Sequence, residues 1–188
     1  MENLKKLFSI IKVFDVSKLE EFTFEMNVND ITEEKLSFLK ENGVNRISVG
    51  VESFNKINLK YLNRKHTKQE IINNIKLVKK YFENINVDLM YALSIEKFSV
   101  LKSDLKEILK LGVPHISAYS LILEPNTALF VNKVRPISED LDYKMYKYIS
   151  YELKERRQDA AQVLYHKQDL PEEVKAYKQP VSTEELLA

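Results

Sequence analysis

The stretch NRISVGVESFNKINLKYLNRKH, residues 45–66, decides the fold. It opens on an alternating apolar run, Ile47 to Val51, and passes through Glu52 and Ser53. It continues as a short amphipathic segment that ends on Asn63, Arg64, Lys65 and His66. A strand passing into a helix is the first half of a βα unit. The stretch also sets an acid, a guanidinium and an imidazole close behind one strand, which a purely structural crossover does not need.

Working outward, the same alternation of periods recurs along the chain. Phe22 to Met26, Ile85 to Leu89 and His115 to Leu121 alternate apolar and polar residues, as half-buried strands do. Between them lie helical stripes: Leu36 and Leu39; Ile71, Ile75, Val78 and Phe82; Leu101, Leu105 and Ile108. Asp30 and Thr32 are candidate caps for the first of these helices, and Gly43 is placed to end it. Four strands, near residues 22–26, 46–51, 85–90 and 115–121, joined by crossovers of helical length, predict a parallel α/β sheet in sequential order. A sheet covered on both faces favours solid apolar runs, whereas these strands alternate, which fits a curved, partial (βα) barrel with helices on its convex face. Phe22, Phe24, Ile47, Val49, Val51, Val87 and Leu89 are then expected to face the helices. Thr23, Glu25, Ser48, Glu52, Asn86 and Asp88 are expected to face inward.

Bulk composition narrows the function classes. The chain has 188 residues, enough for one domain with a real core and short for two. A net charge of +1 gives no electrostatic reason to expect a nucleic acid or an anionic membrane as partner. No apolar run reaches the roughly 18 residues of a membrane helix, and the N-terminal segment lacks a cleavage signature, so the cytoplasm is the expected compartment. The cysteine count is zero, which removes disulfides, thiolate catalysis and Cys-held metal from these residues. The three histidines show no zinc-type spacing: His66 reads as a rim residue, His115 as structural and His166 as exposed, so no metal site is expected.

In barrels of βα units chemistry gathers at the C-terminal ends of the strands. Glu25, Glu52 and Asp88 lie at or just past those ends, and Arg64 follows one of them. A catalytic residue is not identifiable among them, and a solvated rim is the bland alternative.

The segments FTFEMN, LKENGVNRISVGVESFN, LNRKHT, INVDLMYAL and HISAYSLILEPNT occur in this order. Together they resemble consecutive segments of radical S-adenosylmethionine enzymes related to oxygen-independent coproporphyrinogen III oxidase, above all the haem chaperone (HemW) branch. The resemblance runs over roughly residues 1 to 150 and implies porphyrin metabolism. It also implies that strand-end residues contact S-adenosylmethionine: Glu25 the methionyl ammonium, Arg64 the methionyl carboxylate and Asp88 the ribose hydroxyls. Glu52 stands where the family usually has Gln. The family's cluster motif, CxxxCxxC, and its GGGTP segment have no counterpart here, so a 4Fe–4S cluster belongs to the family but is not expected on this chain. The family's Gly-Leu-Pro-Gly-Gln turn is replaced by Ala92-Leu-Ser-Ile-Glu96. S-adenosylmethionine binding is therefore expected to be weak or vestigial, and haem, implied by the family, finds no support in these residues.

Residues 1–155 are read as the partial barrel and residues 156–188 as an unmatched tail, partly helical or disordered. The tail contains neither Asn nor Ile, both frequent before it. A helix from Ser138 to about Arg157 carries Leu141, Met145, Ile149 and Leu153 at spacing four. Three functions remain open: an inactive N-terminally truncated core, the complementing half of a split protein, or a non-catalytic module that binds through an open sheet edge. Self-association or a complementary fragment is the expected partner.

Overall fold

A computed structural model describes residues 1–155 of the chain. Its centre is a four-stranded sheet: β1 (Thr23–Asn27), β2 (Arg46–Glu52), β3 (Asn84–Tyr91) and β4 (His115–Ser120). The order is sequential, β1-β2-β3-β4, and every pairing is parallel. The alternation in the sequence therefore located all four strands to within a residue or two.

The helices are α1 (Glu2–Ile11), α2 (Glu33–Glu41), α3 (Lys56–Tyr61), α4 (Lys68–Val78), α5 (Phe98–Lys110), α6 (Ala128–Val131) and α7 (Glu139–Glu155). Ile47, Val49 and Val51 of β2, with Ile85, Val87 and Leu89 of β3, are buried in one core with Leu36, Leu39, Ile71, Ile75, Leu101 and Leu105. These are the residues that the period of two assigns to the helix side. Met145, Ile149 and Leu153 of α7 join the same core, and Tyr148 meets Phe98 edge-on at 5.4 Å. Phe8 of α1 packs against Phe22, Phe24 and Phe38, covering the apolar face at β1.

Local chemistry explains the element ends. The Thr32 hydroxyl caps α2 by accepting from the Lys35 N–H at 3.3 Å. Asp30 does not cap it: its carboxylate is paired with Lys35 Nζ at 3.2 Å instead. Gly43, at φ +90°, turns the chain out of α2 in a conformation that other residues enter at a cost. Phe82 is buried as its place in the stripe requires, but it lies beyond the end of α4. In the described sheet β1 pairs only with β2, so its other side is an edge. The tail from residue 156 onward, His166 included, lies outside the described residues. Among the described residues no helix is long and apolar enough to cross a membrane.

Candidate functional site at the strand ends

The polar face of the sheet is a connected network. Ser48 Oγ donates to Asp88 Oδ2 at 3.2 Å, and Asn86 Nδ2 reaches Asp88 Oδ1 at 2.7 Å and Ser48 Oγ at 2.9 Å. Ser117 Oγ donates to Asn86 Oδ1 at 3.0 Å. The register makes this possible, because Ser48 stands beside Asn86 and Asp88 beside Ser117. Burial raises the Asp88 carboxyl above its ordinary range, against the Ser48 and Asn86 hydrogen bonds that favour the charged form.

Glu52 closes β2 in an irregular conformation. The pairing with β3 shifts register between Gly50 and Glu52, and Glu52 adopts φ +65°, the left-handed region. Bulges of this kind re-aim a side chain at the end of a strand. Glu52 Oε1 accepts from Arg64 Nη2 at 2.7 Å, while Arg64 Nη1 donates to Asn27 Oδ1 at 2.7 Å. Burial pushes the Glu52 carboxyl up, and the Arg64 guanidinium opposes that shift. Glu52 Oε2 is buried without a hydrogen-bond partner.

Arg64 is held by the end of α3. Asn63 takes φ +54°, the Arg64 N–H bonds the Leu59 carbonyl at 2.8 Å and the Asn63 N–H bonds the Lys60 carbonyl at 3.1 Å. That pair of bonds is a Schellman motif, which fixes where the backbone leaves the helix. Three residues on, Thr67 and Glu70 form a reciprocal capping box that starts α4. Arg64 is thus positioned between two well-defined helix ends.

His66 departs from its expected rim position. The same link folds the imidazole under the end of β2, where it is 5% exposed and its Nε2 lies 3.2 Å from the Val51 carbonyl. Because a carbonyl can only accept, Nε2 carries the proton, and burial lowers the pKa of the ring. His66 is a structural tie. His115 opens β4 with its ring half-buried, as expected of a structural residue.

Burial raises the pKa of the Tyr119 hydroxyl, the charges of Glu52, Asp88 and Glu25 add to the rise, and Arg64 opposes it. Glu25 and Asp88 lie within β1 and β3 on the polar face of the sheet, Glu52 ends β2, and Arg64 reaches Glu52 from the link after α3. Glu25 is exposed and makes no hydrogen bond or ion pair among the described residues. Sequence reasoning missed Tyr119 and Asn27 as members of this group. Tyr119 was findable, since it shares its strand parity with Ser117 on the polar face. Among the described residues no three His or acidic side chains are placed to hold a metal ion.

A second buried polar group lies behind the first. The Ser53 hydroxyl donates to Asp104 and accepts the Asn55 N–H at 3.0 Å. Asn58 Nδ2 donates to Glu96 Oε1 at 3.1 Å and the Leu93 N–H to Glu96 Oε2 at 3.3 Å. Burial pushes Glu96 up to about 7 and Asp104 up to about 6. Glu96 thereby closes the turn after β3, where Ala92 holds φ +61°. The glycine expected at Ala92 is gone, yet the backbone keeps a conformation that favours one.

Comparison with known proteins identifies the family. A family model described as the radical SAM superfamily matches residues 2–117. The haem chaperone HemW of Lactococcus lactis is 42% identical over 149 residues, covering 76% of this chain and 39% of that protein. HemW of Bacillus subtilis is 38% identical over 132 residues, 69% of this chain and 35% of that protein. The chain thus spans well under half of the curated relatives it matches. Among solved structures, coproporphyrinogen III oxidase (HemN) of Escherichia coli, a radical SAM enzyme, superposes with a TM-score of 0.71. That match covers 81% of this chain and 36% of the other at 21% identity, and it speaks to the fold alone. Membership in the superfamily implies S-adenosylmethionine and a 4Fe–4S cluster as the family's cofactors. The chain belongs to the radical SAM superfamily, in the branch that resembles HemW and HemN.

Proposed function

We propose that these 188 residues form the adenosyl-binding part of a haem chaperone-like radical SAM core in the cytoplasm, without cleavage activity of their own. The observation that supports this reading is the polar sheet face shared by Glu25, Ser48, Asn86 and Asp88, with the Glu52–Arg64 pair at the end of β2. The donor set suits an adenosyl amino acid. Asp88 keeps acceptor capacity beyond its bonds to Ser48 and Asn86, as a ribose diol requires. Glu25, exposed and without a hydrogen-bond partner, suits an ammonium. S-adenosylmethionine, when bound, supplies the group that the family's chemistry cleaves; these side chains bind and orient it.

The same test fails for the cluster. An iron–sulfur cluster needs thiolates, the chain has no cysteine, and no reaction step is assigned through it. After anaerobic treatment with iron and sulfide, the expected result is no cluster absorbance, no 5′-deoxyadenosine and S-adenosylmethionine binding near millimolar, about 4 kcal/mol. Stoichiometric iron with cluster absorbance overturns the inactivity. Micromolar binding that is lost in Arg64→Ala makes the site stronger than proposed.

A second reading, a complementing half of a split protein, is favoured by the β1 edge and by exposed Leu7, Ile10, Val13, Phe14 and Leu19. An unpaired edge offers backbone donors and acceptors to another strand. Sedimentation velocity at micromolar concentration checks it. A stable monomer with exchange-protected amides along residues 23–27 removes this reading.

A further inference from the structure

Glu52 sits in a position that costs free energy in three ways. Its backbone is left-handed, its Oε2 is buried without a partner, and the Asp88 charge opposes its own. A residue held against such costs points to a role in the site it closes. What Glu52 gains is a single strong contact, the 2.7 Å bond from Arg64 to Oε1. Gly50 makes the room for it: a Cβ built there stands 3.1 Å from Glu52 Oε1, so any side chain at 50 crowds the carboxylate.

The consequence falls on Arg64. Its two terminal nitrogens are already engaged, one by the Glu52 carboxylate and one by the Asn27 amide. The guanidinium retains further N–H groups, but its charge is compensated before any ligand arrives. An incoming carboxylate gains little attraction there and meets the negative charge of Glu52. An ammonium, in contrast, is attracted by the Glu52 carboxylate and by Glu25 and Asp88 on the same face of the sheet.

We propose that Glu52 is a resident counter-ion filling the carboxylate seat of Arg64, so that the cleft selects amine-bearing adenosyl compounds without a carboxylate over amino-acid ones. This rests on the adenosyl-binding reading above. S-adenosylmethionine and its decarboxylated form are the probes, because they differ only in that carboxylate. Calorimetry on the wild-type chain is expected to show the decarboxylated compound bound about fivefold more tightly. In Glu52→Gln, which keeps the shape and removes the charge, S-adenosylmethionine is expected to gain about tenfold, with the decarboxylated compound gaining nothing. Arg64→Ala in the Glu52→Gln background is expected to erase that gain.

The outcomes separate cleanly. Wild-type preference for S-adenosylmethionine, unchanged in Glu52→Gln, overturns the inference and leaves adenosyl binding intact. No binding of either compound to either chain removes the adenosyl-binding reading and the inference with it. Should Glu52→Gln fail to fold by circular dichroism, the wild-type preference between the two compounds decides alone.

Discussion

Two groups of buried carboxylates flank the end of β2, and their charges are met differently. At the strand ends, Glu52 faces the Arg64 guanidinium, and the group opens toward exposed Glu25. Behind them, Asp104 and Glu96 are 2% and 6% exposed and accept from neutral donors: Ser53, Asn58 and backbone N–H groups. Without a guanidinium partner, burial drives these two acids toward the neutral form, whereas at Glu52 the Arg64 guanidinium opposes the same drive. The more strongly shifted acids are thus the structural ones. A perturbed titration marks burial first, and only an accompanying opening and unsatisfied capacity mark a site.

The largest expected effect tests that division. Asp104→Ala leaves the buried Ser53 hydroxyl without its acceptor and removes a buried side chain, and should destabilise the fold by about 3 kcal/mol. Asp88→Asn keeps an acceptor for its neighbours in a half-buried position and should cost under about 1 kcal/mol. Urea midpoints of the two variants measure both. Equal losses would show that Asp88 is as structural as Asp104.

A smaller effect concerns pH. The folded pKa of Glu96, about 7, lies above the ordinary 4.5, so its favourable contribution is full below about 4.5 and is lost as pH rises through 7. Between pH 5 and pH 8 wild-type stability should fall by about 2 kcal/mol more than that of Glu96→Gln. Calorimetric melting of both proteins at the two pH values is the measurement, and parallel curves would place Glu96 among ordinary carboxylates. The smallest effect is at the turn Glu96 closes. Ala92→Gly relieves the left-handed backbone while loosening the unfolded chain, for a net gain of about 0.5 kcal/mol in the same urea experiment. A net loss would mean that the Ala92 methyl, buried in the core, outweighs its strain.

The sheet was legible because its signal is a period. Ile47, Val49 and Val51 repeat every second residue, and parity alone places Ser48 and Asn86 together on the opposite face. Glu25, Glu52, Arg64 and Asp88 were singled out from strand ends and resemblance, and nothing in the pattern indicated that Glu52 and Arg64 pair. The Glu52–Arg64 contact depends on a register shift at Gly50 and a left-handed Glu52, which no period encodes. His66 was misplaced for a related reason: its burial follows from how the link between α3 and α4 folds back beneath β2. The Ser53–Asp104 and Asn58–Glu96 pairs join residues 51 and 38 positions apart, a distance that local patterning does not span.

The sequential strand order has a consequence for synthesis. Each strand pairs with the one made just before it: Thr23 beside Arg46, Arg46 beside Asn84, Asn86 beside His115. A chain emerging from the ribosome can therefore lay each new strand on an edge already present, without holding a gap open for a later arrival. Domains built this way can fold from the N-terminal side as they are made. Each addition closes a crossover that contains a helix, and the entropic cost of closure rises only slowly with crossover length. Among the described strands, the order permits vectorial growth, each strand being added beside the one before it.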